Sequence, residues 1–449
     1  MRFRIVSSQD IYREGRFDGS YHNAEAIVYD NIIKSHSSHN LNYYCTDIFT
    51  SGRNKRAYTS KEFGYPFLSN SDAASQNPFS SCKYNSKKYG YDESAVLKAG
   101  MILTGRVGAI GQTSLVPRYW ETLNAMGSDN IIRIAVKPEY RNGYIYAYLA
   151  SKIGNLQFGK HATGGVQPFI TDAMVGSLPI PDFSDSFQQK VDDLIQETTR
   201  LRANAADALN KAHELIVKQF SIAPSHAPHC IVSSKTIFSS QLHRFDSNYY
   251  VADGKYYDKK IKTTFHWKTL GDVSERIWRP DIFKRAYVKN GIPFLSSSDI
   301  MLSIPQSEKQ ISRRMPNSEA FLVDEKWILV PRSGTIGEVV YTTSQHAQKL
   351  VSEHVIRIVP NDILSSGYVY AFLSSSIGKA LIQRLIFGSV IQHIEPPLLE
   401  TIPIPILSDV QMDEIAELAE IHRNCWGKAA ELELEAISLV ESEIEKWNN

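Results

Sequence analysis

The chain is written twice, and this constrains its fold more than any single motif: whatever scaffold it adopts must be built two times. Residues 16–182 and 244–406 carry one ordered series of short motifs. Arg16-Phe17-Asp18 with Tyr21 returns as Arg244-Phe245-Asp246 with Tyr249. Lys55-Arg56-Ala57-Tyr58 returns as Lys284-Arg285-Ala286-Tyr287. Pro66-Phe67-Leu68-Ser69-Asn70-Ser71-Asp72 returns as Pro293-Phe294-Leu295-Ser296-Ser297-Ser298-Asp299. Leu103-Thr104-Gly105-Arg106-Val107-Gly108-Ala109-Ile110-Gly111 pairs with Leu329-Val330-Pro331-Arg332-Ser333-Gly334-Thr335-Ile336-Gly337. Asn130–Ile134 pairs with His354–Ile358, Gly143–Leu149 with Gly367–Leu373, and Leu178-Pro179-Ile180-Pro181 with Ile402-Pro403-Ile404-Pro405. Solenoid repeats run about 20–50 residues, so an offset of 224–229 residues means two copies of a whole domain. Residues 73–99 and 300–326 share almost nothing, so diverged loops sit on a common scaffold.

After each Pro-Ile-Pro boundary the pattern turns helical. Val191, Leu194, Thr198, Leu201, Ala205, Ala208, Ala212 and Leu215 alternate at steps of three and four. Ile415, Leu418, His422, Cys425, Ala429, Leu432, Ala436 and Leu439 repeat them 224 residues on. A seam of this period marks a coiled coil. One copy alone fits equally a helix packed on its own domain; two in-register copies point to a helix pair. A helix of ~35 residues spans ~50 Å. Residues 221–228, with two prolines, read as the linker between halves. Within the repeats, β-branched runs predict strands at Ile131–Val136, Trp327–Val330 and Val355–Val359. Tyr- and Ala-rich stretches predict one helix each over 143–153 and 367–377. The expected class is α+β.

At 449 residues there is material for about two to four domains with real cores. No apolar run approaches the ~20 residues of a membrane helix, and Met1-Arg2-Phe3-Arg4 does not open a signal peptide. Cys45, Cys82, Cys230 and Cys425 lack metal-type spacing and read as free thiols in a reducing, cytoplasmic compartment. The net charge of +1 hides an uneven distribution: residues 411–449 hold ten acidic and three basic side chains, a sum of −7, which leaves +8 on the rest. A basic part of this kind suits nucleic acid.

The motifs allow bland and functional readings side by side. The Gly105–Gly111 turn lacks the context of a dinucleotide fingerprint, and its second copy replaces the first glycine with Pro331. It is either a tight turn between strands or a turn that brings backbone N–H groups and Arg106 or Arg332, with Ser333 and Thr335, to a phosphate or base edge. Lys55, Arg56 and Tyr58, and again Lys284, Arg285 and Tyr287, fit phosphate contact with stacking, or a solvated basic edge. Asn70 and Ser71, and Ser297 and Ser298, lie in clusters that could cap a helix or reach base edges. Lys160, His161, Thr163 and Gln167, and Gln392 and His393, sit in glycine-containing loops; Gln can read adenine through paired hydrogen bonds. Arg-Phe-Asp reads as a structural lock around an aromatic anchor. No P-loop, His-Glu-x-x-His or nucleophile elbow is present. Asn77-Pro78-Phe79 only approaches an adenine methyltransferase motif, in a diverged loop, and Asp281-Ile282-Phe283-Lys284 has no upstream acidic partner.

With these residues in view, the chain resembles the specificity (S) subunit of type I restriction–modification systems along essentially its whole length. The resemblance rests on Arg-Phe-Asp-x-x-Tyr at each domain start, the Arg-[Val/Ser]-Gly-[Ala/Thr]-Ile-Gly turn, Leu-Pro-Ile-Pro or its Ile-Pro-Ile-Pro counterpart before each helix, and the alternation of domain and helix. It implies two tandem-duplicated mixed α/β target-recognition domains, each followed by a long helix, the two helices pairing as an antiparallel coiled coil. The expected limits are 1–183 and 223–406 for the domains, with the linker in the latter, and 184–222 and 407–449 for the helices. The resemblance further implies a non-catalytic subunit with no cofactor or metal of its own. Its partners would be double-stranded DNA, two adenine methyltransferase subunits and, as a further partner, a restriction or translocase subunit. Because the loops at 73–99 and 300–326 differ, the two half-sites should differ and the target be asymmetric. The alternatives are a self-sufficient restriction or modification enzyme, service in a methylation-linked antiphage system without a type I motor, and a protein-binding adaptor.

Overall fold

The computed structural model describes residues 5–17, 19, 21–22, 24–164, 167–220, 231–239, 243–246, 249–250, 253–388 and 390–447. Asp18, the linker at 221–228, Cys230, and residues 165, 166 and 389 of the glycine loops lie outside them. The chain forms two compact units, Met1–Ala203 with Lys428–Asn449, and Asn204–Gly427. Each unit therefore holds one repeat, part of the first long helix (Asp185–Lys218) and part of the second (Asp409–Lys446).

In the first unit the strands are β1 (Cys45–Thr50), β2 (Tyr58–Thr59), β3 (Gly64–Leu68), β4 (Lys83–Ser86), β5 (Ile102–Gly105), β6 (Thr113–Leu115), β7 (Met126–Gly127) and β8 (Ile131–Val136). They form two sheets, ordered β1-β8-β5-β6 and β2-β4-β3-β7, antiparallel except for the β3–β7 pair. The second unit has β9 (His266–Thr269), β10 (Ser274–Trp278), β11 (Tyr287–Leu295), β12 (Gln310–Ile311), β13 (Ile328–Pro331), β14 (Val340–Tyr341), β15 (Leu350–Val351), β16 (Val355–Pro360) and β17 (Pro403–Ile406). Its first sheet, β10-β16-β13-β14, copies the first unit's, and β12-β11-β15 repeats the second with the same single parallel pair, β11–β15. β17 adds a pairing with β9, where the first unit has only the Asn40–Pro179 bridge.

The three predicted strands are present as Ile131–Val136, Ile328–Pro331 and Val355–Pro360. The single helices expected over 143–153 and 367–377 are instead two helices in series: Asn142–Ala150 then Lys152–His161, and Ser366–Ser374 then Ser376–Arg384. Ser151 and Ser375 break them by taking an extended backbone and accepting from the N–H of Gly154 at 3.0 Å and of Gly378 at 3.2 Å, as N-caps do. Glycine is required just after the break: a Cβ on Gly154 would lie 2.3 Å from Tyr148 O, and one on Gly378 2.2 Å from Phe372 O. The first helix of each series is buried on all sides, which is why it shows aromatic and small residues without an amphipathic period.

A fully buried arginine joins the two sheets of each repeat. Arg133 on β8 donates to the carbonyls of Ile131 (2.9 Å), Gly127 (2.6 Å) and Ala95 (3.2 Å), with Ser128 at 3.5 Å. Arg357 on β16 uses the carbonyls of Val355, Val351, Phe321 and Ser352, the same backbone places in its own repeat. Burial lowers the two guanidinium pKa values, to about 10 and about 9. Both stay charged at neutral pH, held by carbonyl dipoles.

Both long helices are present and pair antiparallel. In the first unit Val191 and Ile195, early in the first helix, share a core with Ala436, Val440 and Ile444, late in the second. Thr198 Oγ1 donates to Ala429 O at 3.3 Å. In the second unit Leu209, Ala212 and Ile216 share a core with Ile415 and Ala419, and His422 Nδ1 lies 2.9 Å from Ala205 O. Of the expected seam, Val191, Thr198, Ala205, Ala208, Ala212, Ile415, His422, Ala429 and Ala436 are buried; Leu194, Leu201, Leu215, Leu418, Cys425, Leu432 and Leu439 are half-buried. Deep burial also reaches Ile195, Leu209, Ile216, Ala419, Trp426, Val440 and Ile444. The apolar stripe is wider than a coiled-coil seam because each helix packs on its partner and on a domain core at once.

Candidate nucleic-acid interface

In each repeat the arginine of the Lys-Arg-Ala-Tyr segment and the arginine of the glycine turn meet on the loop that leads into the central strand, Asp129-Asn130 before β8 and Glu353-His354 before β16. Arg56 pairs with Asp129 at 2.9 Å, and Arg285 with Glu353 at 2.8 Å. Arg106 N donates to Asn130 O at 2.9 Å, and Arg332 N to His354 O at 2.8 Å. Asn70 Nδ2 also donates to Asn130 O, at 3.1 Å. Val107 bridges Phe169 and Ser333 bridges His393, which binds the glycine loops holding Thr163 and Gln167, or Gln392, to the glycine turn. The outer strands continue the patch, with Lys83 Nζ 4.6 Å over the Tyr58 ring.

The structure sorts the candidates by what each side chain already does. Lys55 and Lys284 are exposed and carry no side-chain partner among the described residues. Tyr58 and Tyr287 are about half exposed at 45 % and 51 %. Arg56 and Arg285 are fixed by their acid, so they present oriented guanidiniums rather than free ones. Gln167, Gln392, Ser71, Ser298 and Thr335 are exposed, and Asn70, Ser297, Ser333, Thr163 and His393 half-buried. The first polar cluster caps a helix: Ser69 accepts from Asp72 N while Asp72 accepts from Ser69 N at 2.8 Å. In the second, Ser296 N donates to Asp299 at 2.8 Å, but Ser298 at the cap position makes no capping bond. Asn70 and Ser71 follow the first cap, and Ser297 and Ser298 lie within the second turn.

Lys160 is a correction. Only 4 % of its side chain is exposed, and it pairs with Asp30 at 2.6 Å, so it is out of reach of a phosphate. Burial would raise the Asp30 carboxyl, but Lys160 and Lys34 hold it below the usual range. Arg384 takes this place in the second repeat, with Asp258 at 3.4 Å, and Lys262 stands to Asp258 as Lys34 does to Asp30. His161 beside Lys160 is pulled down to about 4, by burial first and then by Lys160. It is neutral near pH 7 and offers DNA no charge.

The Arg-Phe-Asp motif is structural, and its aromatic anchor is the buried tyrosine rather than the phenylalanine: Arg16 lies 4.9 Å over the Tyr21 ring and Arg244 5.2 Å over that of Tyr249. Arg16 Nη2 donates to Ala162 O at 2.8 Å and Arg244 Nη2 to Ile386 O at 2.6 Å, each holding the start of a glycine loop. Phe17 and Phe245 are exposed. The glycine turn is a tight turn between strands: Gly108, Gly111, Gly334 and Gly337 all have φ between +78° and +104°, a left-handed region that favours glycine.

The diverged segments hold residues that motif reading missed. They are not mere loops, since each supplies a strand, β4 or β12, to the outer sheet. Asn85 on β4 is fully buried and holds the Lys-Arg-Ala-Tyr segment, accepting from Ala57 N at 2.7 Å and donating to Lys55 O at 3.0 Å. Around it Lys83, Lys87, Lys88, Tyr89 and Tyr91 are exposed, with Lys87 5.4 Å over Tyr65 and Lys88 5.2 Å over Tyr89. The second repeat exposes Lys309, Arg313 and Arg314 beside β12. Cations interleaved with aromatic rings would have marked the first strip, but no repeated motif drew attention to it. Among the described residues no group of acidic, His or Cys side chains could hold a metal ion.

These patches belong to a duplicated scaffold, and its second copy is the one a known family matches. Residues 263–426 match the family described as type I restriction modification DNA specificity domain. The first repeat shares the two main sheets of the second, without its β9–β17 pair. Over the second repeat this match agrees with the resemblance to the specificity subunit of type I restriction–modification systems read from the sequence. Comparison with curated proteins gives no match. Among solved structures, the chain is similar to the S subunit of a type I restriction-modification system from M. genitalium, at 14 % identity, over 91 % of this chain and 93 % of that one, with a TM-score of 0.30. The HsdS subunit from Thermoanaerobacter tengcongensis matches at 16 % identity over 91 % and 95 %, with a TM-score of 0.28. The type IIG restriction endonuclease BpuSI matches at 10 % identity over 42 % of this chain and 30 % of its own, with a TM-score of 0.29. No helix among the described residues is long and apolar enough to cross a membrane.

Proposed function

We propose that each repeat binds one half of a split duplex DNA target and that the chain directs a partner adenine methyltransferase to it, forming and breaking no covalent bond itself. The observation that carries this is the duplicated patch: an oriented guanidinium, an unpaired lysine and an exposed tyrosine around Asp129-Asn130 and again around Glu353-His354. Lys55, Lys83, Lys87, Lys88, Lys284, Lys309, Arg313 and Arg314 would meet phosphates, which sets position without reading sequence. Tyr58 and Tyr287, the glutamines and serines of the glycine loops and caps, and the turn arginines would approach base edges. Because β4 and β12 lie in the middle of this surface and differ in sequence, one fold would read two different half-sites, and the target would be asymmetric.

The recognition domains would run over 1–183 and 223–406. The paired helices would hold them apart, so that two weak contacts act as one through effective concentration. Two methyltransferase subunits would dock on the chain, flip an adenine and methylate it, and a restriction subunit would complete a nuclease. Replacing residues 1–183 with another recognition domain is expected to change one half-site only, read by methylome sequencing; a change in both would sink the modular reading. Inserting one heptad in the first long helix is expected to lengthen the tolerated gap and leave the half-sites alone. A protein-binding adaptor is the second reading, favoured by the exposed Phe17 and Phe245 at both domain starts. It predicts no salt-dependent duplex binding, whereas the DNA reading predicts binding that weakens when Lys55, Arg56, Lys284 and Arg285 are replaced.

A further inference from the structure

The two repeats part company at the arginine of the glycine turn. In the first, Arg106 is half-buried and its side chain has no partner among the described residues. In the second, three side chains from three elements meet. Arg279 follows β10, Arg332 follows β13, and Glu395 is the N-cap of the short helix Pro396–Glu400. Arg332 Nε lies 2.8 Å from Glu395 Oε1 and Arg279 Nε 2.9 Å from Glu395 Oε2. Arg332 Nη2 shares Oε1.

This cluster is not needed to build the scaffold. Glu395 makes no capping bond, although it occupies the capping position. The first repeat has Thr171 there, which caps its helix by accepting from Met174 N, and Thr50 where Arg279 stands. The first repeat closes here without a pair of arginines: Asp172, one residue after Thr171, accepts from Thr50 N at 3.2 Å and from Thr50 Oγ1 at 3.4 Å. Burial would raise the Glu395 carboxyl, but hydrogen bonds from Arg332 and Arg279 outweigh it and hold it below the usual carboxylate range. It stays ionised and leaves the cluster with one net positive charge.

A guanidinium carries five N–H donors in a rigid plane. Glu395 takes the Nε donor of both arginines, so each is gripped along one side and keeps Nη donors for a ligand. All three side chains are between a fifth and about a quarter exposed, enough to be reached. Arg332 is further fixed through its backbone, donating to His354 O at 2.8 Å and accepting from Ile394 N at 3.0 Å. A held guanidinium facing outward suits a group with two adjacent acceptors, and a guanine edge, with O6 and N7, is the DNA group that distinguishes sequence in this way.

We propose that Arg279 and Arg332 form a fork that reads guanine in the half-site of the second repeat, and that Glu395 is the positioning residue that aims it. This rests on the DNA-binding reading above. The test is selection of a randomised duplex pool by the full chain, followed by sequencing of the bound fraction, for the wild type and for Glu395→Gln, Arg279→Lys and Arg332→Lys. Each variant keeps side-chain size or charge, and thermal unfolding confirms that it is folded. The wild type is expected to enrich two half-sites. In all three variants enrichment at guanine positions of one half-site is expected to fall about 10-fold or more, with the other half-site unchanged. Arg106→Lys is expected to leave that half-site intact. A loss spread evenly over all sequences would mean that the fork only grips phosphate, and the proposal falls. Unchanged selectivity would mean a structural cluster, and it falls as well. If the wild type itself enriches no sequence, the DNA-recognition reading fails and takes the fork with it.

Discussion

The two repeats keep their buried polar joints and let their surfaces drift. Arg133 and Arg357 hold the same four backbone places, although three of the four residues supplying those carbonyls differ. Lys160–Asp30 becomes Arg384–Asp258, a change of cation that preserves the pair. The acid that fixes the Lys-Arg-Ala-Tyr arginine changes from Asp129 to Glu353. The exposed strip shows no such restraint: Lys87, Lys88, Tyr89 and Tyr91 in one copy give way to Arg313 and Arg314 in the other, and the Arg106 side chain has no partner among the described residues where Arg332 is paired with Glu395. A buried charge left without its partner costs several kcal/mol, whereas an exposed one can be exchanged at little cost to the fold. Physical necessity protects the scaffold and leaves recognition free to vary.

The strongest way to break this comparison is at the buried arginines. Arg133→Met and Arg357→Met should each destabilise by ~3–4 kcal/mol, since several carbonyls lose a charged donor in a closed core. Urea unfolding of the full chain measures it, and a large loss in one repeat with none in the other would end the claim of a shared joint. Next, Lys160→Met should cost roughly 2 kcal/mol, since it leaves the buried Asp30 with the exposed Lys34 alone, and Arg384→Met less, because Arg384 and Asp258 are 11 % and 20 % exposed. Neither should alter the salt dependence of DNA binding; a weaker dependence in Lys160→Met would return that residue to the interface.

The helix joints differ in a way that pH reveals. His422 contacts Ala205 O where the first repeat has Thr198, which does not titrate. Burial pulls the His422 imidazole down to about 4, against ~6.5 in the unfolded chain. Because the folded state resists the proton that the unfolded state accepts, this contribution is whole above pH ~6.5 and is lost as pH falls toward 4. His422→Thr should therefore flatten the stability profile over that window by on the order of 2 kcal/mol, followed by denaturant titration at several pH values. An unchanged profile would show that the histidine is not held neutral.

The smallest effects belong to the exposed strips. Removing Lys87 and Lys88, or Arg313 and Arg314, should lower the slope of log affinity against log salt by about one for each phosphate left without its cation. Stability should stay within ~0.5 kcal/mol. A steep fall in stability would place these residues in the scaffold rather than on its face.

Much of this was legible in the chain. Duplication gave the architecture, because two copies of seven ordered motifs leave little else to assume. The glycine spacing of the turns was readable as well, since Gly108, Gly111, Gly334 and Gly337 stand where the backbone must turn left-handed. The break at Ser151 was not, because an N-cap inside an apolar run shows itself only once the helix before it stops. Nor was the fate of Lys160: a lysine in a polar loop reads as solvent-facing until an aspartate 130 residues earlier is found beside it.

By itself the sequence determined what repetition and local chemistry determine: two like domains, two long helices, turns where glycine is required, and a basic body with an acidic tail. Only the tertiary structure decided which charges are available. Arg56, Lys160, Arg332 and Lys55 look alike as letters, yet one is oriented by an acid, one buried, one held in a fork and one free. The reason is that a charge is defined by its partners and its access to water, and these come from residues far away in the chain that folding brings within about 3 Å.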